Sequence, residues 1–464
     1  MTTQSQASQP LQTTVAQRVA MVSLNHGPVN ALGSALRAAL WDSIDQYDAN
    51  PDVDAIVIMA EGPVFSVGVD LGSFGKAQKR APTLAVLCQR IETCSKPVVA
   101  LLQGPAHAAG AQLALSAHYR LAVPGSAIAF TEISMGLLPG GGGTQRLPRL
   151  VGADAALRML LSGKPVPAET AQSVGLIDGI VQGDAGSAAH AYALGVVGEP
   201  LGPRRSEGGY ARIGQASEVI KTIAATRKAL GPKALMAATS IVDCVEAALL
   251  LPYEAALEFE LAAFEDCFSH PQSIALRHIF QAERQVAKEL LALDDTGKRR
   301  PTEAGQALVA RLFSAQDRAI TWLVGQGLSE DAIDRAFVDW GFGSGPFGGT
   351  LAGPVDDRVR PRVLGALLAE GARLLDAGKV GRAGDVDALA IYGMGYPRRD
   401  GGPMRAAHTA GLPRMLRELR SWLPQDRVWA PSTILVRAAQ VAGGFDAVSA
   451  EDNAHNNHHE TQKG

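Results

Sequence analysis

Lys96-Pro97-Val98-Val99-Ala100-Leu101-Leu102-Gln103-Gly104-Pro105-Ala106-His107-Ala108-Ala109-Gly110-Ala111-Gln112-Leu113 joins an unbroken apolar run to a Gly/Pro turn and then to a series of small residues. The run predicts a buried strand, the turn ends it, and the small residues open a helix. Upstream, Val19–Leu24 has a strand's alternation, Asn30 opens an apolar helical segment to about Tyr47, and Ala55–Ala60 is another strand. Downstream, Arg120–Val123 is a further strand. Strands alternating with helices predict an α/β architecture around a largely parallel sheet.

The rest of the chain bounds what this sheet serves. At 464 residues it has room for about three domains of roughly 150 residues. Lysine and arginine number 43 against 46 aspartates and glutamates, a net charge of −3. With no basic excess, neither nucleic acid nor an anionic membrane is an expected partner. No run approaches the roughly 20 apolar residues of a membrane span. Cys88, Cys94, Cys244 and Cys267 form no CxxC pair and read as reduced core thiols, so no metal site is expected. His455, His458 and His459 belong to a polar tail, whose composition explains them better than a metal does. The first residues lack a secretory pattern and the last, QKG, lack an SKL address, which gives a cytoplasmic expectation.

The pattern changes near residue 186. Loops such as Gly198–Ser206 lead into residues 233–292, which read as helix broken at Pro252 and Pro271. Asp294–Pro301 is polar and predicts a linker. Beyond it, Ile333-Asp334 with Gly341-Phe342-Gly343 and Pro346 is echoed by Val386-Asp387 with Gly393-Met394-Gly395 and Pro397, each after an amphipathic helix. The expected plan is a disordered leader over 1–14, an α/β domain over 15–190, a connecting loop and helical linker over 191–293, helical units over 302–352 and 353–445, and a disordered tail over 446–464.

Four segments of the α/β domain hold candidate chemistry: Phe65–Leu71, Gln103–Leu113, Phe130-Thr131-Glu132, and the glycine-rich Gly136–Pro148. A glycine turn after a strand and a helix opened by small residues both leave backbone N–H groups free to face a developing negative oxygen. The glycine run Gly140–Gly143 is no phosphate loop, because Gln145 stands where a lysine is needed. It reads as a turn that lets backbone segments pack closely. His107 reads as a packing residue and Asp70 as a brace for its loop.

These stretches resemble the crotonase superfamily of enoyl-CoA hydratases and isomerases. The matching residues are Pro28–Leu32, Phe65–Leu71, Lys96–Ala100, His118–Arg120, Gly136–Pro139 and Gly143–Gln145. Pro252-Tyr253-Glu254 and Phe280–Arg284 resemble the connecting helix of peroxisomal-type bifunctional β-oxidation enzymes, and Ile391–Pro397 with Gly401–Met404 resemble the helical end of their dehydrogenase half. The resemblance implies a spiral of ββα turns, then a helical linker and an all-α dehydrogenase-like C-terminal region. It implies an acyl-CoA thioester as substrate and partner. A homo-oligomer and a complex with another β-oxidation enzyme are both open.

Two departures shape the functional expectation. No GxGxxG follows a strand near the linker, so no NAD and no dehydrogenase activity are expected. The family sets two glutamates twenty positions apart, and the matching residues are Gln112 and Glu132. The resemblance puts the oxyanion-hole donors on the backbone N–H of Val69 and Ala109, and CoA contacts at Val67, Gly68, Asp70 and Leu71. An amide cannot exchange protons near neutral pH, so hydration is expected to be crippled. A Δ3–Δ2 shift needs only one base, which fits Glu132. Hydration or another crotonase reaction on a bulky acyl-CoA, and a silent acyl-CoA-binding subunit, are the alternatives.

Overall fold

The structure, a computed structural model, describes residues 10–68, 81–201, 213–349, 351 and 354–448. The chain forms two compact units, Met1–Ser269 and His270–Gly464.

In the first unit, β1 (Leu11–Ala16) and β2 (Val19–Leu24) form an antiparallel hairpin. A strand thus stands where the end of a disordered leader was expected; its side chains past Leu11 are exposed, so it lacks the apolar period that marks a strand in sequence. α1 (Ser34–Ala49) leads to β3 (Ala55–Ala60), α2 (Leu84–Glu92) to β4 (Val98–Leu102) and β5 (Ala106–His107), and α3 (Ala109–Ser116) to β6 (Tyr119–Ala122) and β7 (Ala127–Ala129). A 3-10 turn (Thr131–Met135), α4 (Gly143–Val151), α5 (Ala153–Ser162), β8 (Val166–Pro167), α6 (Ala168–Ser173), β9 (Gly179–Ile180) and α7 (Ala185–Gly195) follow. Asn30 does not start α1. It is a buried residue at φ 49, whose side chain accepts from His26 N–H and donates to the Glu61 and Val64 carbonyls.

The main sheet runs β1-β2-β3-β4-β6-β9, parallel from β2 onward, and a smaller sheet runs β5-β7-β8. Each turn of the spiral gives the main sheet a strand and the small sheet a short one: β4 then β5, β6 then β7. Ser66, bridged to Ala106, does the same after β3. β4 is buried along its whole length, which is why it reads as a continuous apolar run and not as an alternation. The ββα spiral inferred from the sequence is the observed fold.

α8 (Ala216–Leu230), α9 (Met236–Leu250) and α10 (Tyr253–Ser269) complete this unit. The expected 191–293 connector is therefore divided, its part up to Ser269 belonging to the first unit. Buried Ile241, Val242, Val245 and Ala256 make these helices part of a core and not a bridge between bodies.

The second unit opens with α11 (Pro271–Gln285) and a hairpin of β10 (Leu291–Leu293) and β11 (Arg299–Pro301). Asp294–Pro301 is thus no linker: Asp294 Oδ1 accepts from the Thr296 and Lys298 N–H groups, both at 2.9 Å, and turns the chain back. This hairpin also qualifies the all-α expectation. α12 (Glu303–Gly325), α13 (Glu330–Trp340), α14 (Val359–Asp376), α15 (Ala383–Met394) and α16 (Pro403–Ala410) follow. One core runs from Leu308 to Val448, so 302–352 and 353–445 are not separate domains, and residues up to Val448 are ordered parts of that core rather than tail. At its edge Arg362 is partly buried, with the Trp322, Trp422 and Trp429 ring centroids at 4.1, 4.3 and 4.8 Å.

The internal repeat has a physical form. Asp334 and Asp387 are each the fifth residue of their helix, α13 and α15, and both are fully buried. Asp334 accepts from the N–H groups of Phe347 and Gly349, and Asp387 from that of Met404 at 2.7 Å and from His278 Nε2 at 2.7 Å. A glycine lies against each carboxylate: a Cβ at Gly345 would come within 2.1 Å of Asp334 Oδ1, and one at Gly402 within 2.3 Å of Asp387 Cβ. Gly402→Ala is expected to cost about 2–4 kcal/mol, since the added carbon clashes with a rigid helix and φ stands at +95. Chemical denaturation followed by tryptophan fluorescence checks this, as all five tryptophans but Trp41 lie in the second unit. An unchanged midpoint for that unit would contradict it.

Candidate active site

The turn after β3 and the start of α3 are clasped together. Phe65 and Ser66 N–H both donate to the Pro105 carbonyl, His107 N–H donates to Ser66 O, and Ser66 Oγ donates to Asn30 O. Two glycines permit the approach. A Cβ at Gly110 would stand 2.5 Å from Ser66 O, and Gly68, at φ +105, lies so close that its Cβ would meet Ala108 Cβ at 2.9 Å. Ala108 adopts φ 50, ψ −120, a sparsely populated conformation for a residue with a side chain. Ala109 is the first residue of α3, so its N–H has no partner within the helix.

An apolar cavity of about 260 Å³ opens at this point. Ala108, Ala109, Gln112 and Glu132 lie on one side, with Leu84, Met135, Leu137, Leu138, Leu261 and Phe264 around it. Ala109, Gln112 and Glu132 therefore meet at one cavity wall. Val67 and Gly68 do not line this cavity; Val67 is exposed and Gly68 serves the backbone packing. Val69, Asp70 and Leu71 lie outside the described residues. His107 is half-buried and its imidazole is held below the usual histidine range by that burial, which suits a packing residue.

Gln112 Nε2 donates to Glu132 Oε1 at 2.6 Å, and Gln112 Oε1 accepts from Gly141 N–H at 2.6 Å. The Gly141 donor fixes which way the amide faces, so its NH₂ group must point at Glu132. Glu132 is 6% exposed, and its Oε2 has no hydrogen-bond partner among the described residues. Burial pushes its carboxyl up to about 7, with Gln112 pulling down and the nearby Glu260 charge pushing up.

The glycine run does more than allow close packing. A Cβ at Gly141 would lie 2.9 Å from Gln112 Oε1, and one at Gly140 would lie 2.7 Å from the Phe264 ring. The turn is anchored by Arg146, whose Nη1 donates to Gly141 O at 2.5 Å while Nη2 pairs with Glu92 at 2.8 Å. Tyr253 Oη donates to the same Glu92 oxygen at 2.8 Å. The sequence reading missed the lining from Leu84 and Phe264 and the contribution of α10 as a whole. The signal was present in Pro252-Tyr253-Glu254, which was taken for a connector.

Among the described residues no cluster of three or more His, Cys, Asp or Glu can hold a metal, and no helix is long and apolar enough to cross a membrane.

Residues 14–191 match the enoyl-CoA hydratase/isomerase family model. The chain is 34% identical over 328 residues to a peroxisomal bifunctional enzyme of Danio rerio, covering 69% of this chain and 44% of the relative. It is 32% identical over 286 residues to the glyoxysomal fatty acid beta-oxidation multifunctional protein MFP-a of Brassica napus, covering 59% of this chain and 39% of the relative. The chain thus spans less than half the length of these relatives. The structure of Pseudomonas aeruginosa DspI matches at 27% identity over 50% of this chain and 97% of that one, with a TM-score of 0.40, too low to carry a fold argument. The cytoplasmic expectation is overturned by these relatives, which are peroxisomal and glyoxysomal proteins by name; a short terminal address is read by a receptor and leaves no trace in the fold. The spiral fold, the site where Ala109, Gln112 and Glu132 meet, and the matched residues together make 14–191 an enoyl-CoA hydratase/isomerase domain of the crotonase family.

Proposed function

We propose that the protein is a Δ3–Δ2-enoyl-CoA isomerase of the β-oxidation type, using Glu132 as its single base. The observation that carries this reading is the state of Gln112, whose amide is engaged at both ends. It has no proton to give and leaves Glu132 as the buried carboxylate of the cavity wall, the other carboxylate of the lining, Glu265, being exposed. In the reaction Glu132 takes a proton from C2, the thioester oxygen becomes an enolate, and Glu132 returns the proton at C4. The double bond moves from C3–C4 to C2–C3 with no net change in protons or electrons. The enolate oxygen takes the Ala109 N–H; loss of one such donor costs roughly 3–4 kcal/mol of barrier in other enzymes. The apolar lining keeps water from the carbanion-like centre and keeps the Glu132 carboxylate basic.

Hydration of a 2-enoyl-CoA would require a water held and deprotonated between two carboxylates, and Gln112 blocks that division of work. The second, helical unit is proposed as a packing or assembly element, with no nicotinamide cofactor. Purified protein assayed with a 3-enoyl-CoA and with crotonyl-CoA tests the reading. Turnover of the first well above the second supports it; CoA-ester binding without turnover of either would replace it with a silent binding subunit.

The site also sets a pH dependence. Glu132 works as a base only when ionised, and its carboxyl stands near 7 rather than at the ordinary carboxylate value. Turnover is therefore expected to rise with pH, half-maximal near pH 7, and to level off above. A rate already flat from pH 5.5 upward would show that the base is a carboxyl with an ordinary pKa.

A further inference from the structure

Glu260 is a second carboxylate buried beside this site, 1% exposed, and the reaction above does not use it. From α10 its Oε1 accepts from Gly142 N–H at 2.5 Å, and its Oε2 accepts from Thr144 N–H at 2.7 Å and from Thr144 Oγ1 at 2.5 Å. Three donors converging on one carboxylate favour its ionised form. The residue between this turn and the cavity is Gly141, whose N–H holds Gln112, which in turn holds Glu132. Glu260 is thus joined to the candidate base through one peptide link and one amide.

The surroundings do not cancel its charge. Arg146 from α4 is the cation facing it, and Arg146 is already paired with Glu92 of α2 at 2.8 Å. Tyr253, on the same helix as Glu260, donates to Glu92. Cys88 of α2 and Cys244 of α9 also face it, and burial pushes both thiols up, so they stay neutral. Glu254 and Glu258 of its own helix line a neighbouring cavity with it, and across the glycine turn the Glu260 charge disfavours ionisation of Glu132.

We propose that Glu260 is a positioning residue for Glu132, holding the Gly141–Thr144 turn that aims Gln112 at the base and setting, through its charge, the pH at which that base ionises. The proposal rests on the reading of Glu132 as the base. It restores to the site, from α10, the second negative charge that position 112 lacks. Burial lifts the Glu260 carboxyl to about 7 against the hydrogen bonds that lower it, the same range to which burial lifts Glu132.

Glu260→Gln tests this in the full-length protein. The substitution removes the charge and turns an NH₂ group toward backbone donors, loosening the turn. The expected result is a kcat about tenfold lower with KM little changed, and an acidic limb displaced to lower pH by about half a unit or more. Glu260→Asp keeps the charge and should keep the limb in place. A second readout needs no turnover: infrared titration of the Glu132 carboxyl, identified as the band missing from Glu132→Gln, should show the same displacement. Because coupling is reciprocal, Glu132→Gln should lower the Glu260 midpoint by an equal amount, a measurement that serves even if Glu260→Gln fails to fold. Midpoints that do not move in either direction would overturn the proposal. Absent turnover by the wild type would overturn the isomerase reading alone, the infrared titration still deciding the coupling.

Discussion

Glu132→Gln is expected to abolish isomerisation of a 3-enoyl-CoA while leaving CoA-ester binding within about twofold of wild type. A positioned general base contributes 10²- to 10⁴-fold, and the side chain in contact with Glu132, Gln112, is an amide that cannot substitute for it. The substitution is close to isosteric. The Gln112 NH₂ can still donate to the new amide's oxygen, so the wall of the cavity keeps its shape. Initial rates by absorbance of the conjugated product, with calorimetric titration of a non-reacting CoA thioester, separate the two effects. Turnover unchanged in this variant excludes Glu132 as the base and brings forward a different chemistry.

Gln112→Glu is expected to raise hydration of crotonyl-CoA by roughly tenfold or more. Gly141 N–H remains to hold one oxygen of the new carboxylate, while the other meets Glu132 across what is now a 2.6 Å contact. Two carboxylates at that distance cannot both be ionised, so the pair retains a proton near neutral pH and gains the acid and base that hydration divides between two groups. Isomerisation should lose at neutral pH, because the added charge moves the Glu132 carboxyl further up. Parallel assays of both reactions from pH 6 to 9 check this. A variant that folds, binds and shows no gain in hydration would mean that water has no place between positions 112 and 132.

Much of the first unit was legible because its physics is local. β2, β3 and β4 are apolar runs bounded by turn residues, and they lie where they were read. The Gln112 and Glu132 pair was legible from spacing within a resemblance. The Gly140–Gly143 run was legible as close packing, yet not as the source of the donor that orients Gln112, since that depends on which side chain the turn meets. Asp294–Pro301 misled because a tight turn and a linker share the same polar composition, and only the pairing of Leu291–Leu293 with Arg299–Pro301 tells them apart.

The sequence by itself determined the α/β alternation and the repeated helix-glycine pattern around Asp334 and Asp387, while the spiral and the single retained glutamate were implied by its family resemblance. The first two are written in residue types at short separations, where periodicity and turn chemistry act without help from distant chain. Tertiary structure alone decided that α10 belongs with the spiral, that Glu260 reaches the glycine turn more than a hundred positions away, and that Gln112 is locked rather than free to hold water. Those outcomes depend on burial and on the meeting of groups from separate helices. In such places a carboxyl shifts its pKa and an amide chooses its direction only after packing has removed the water that would otherwise have satisfied both.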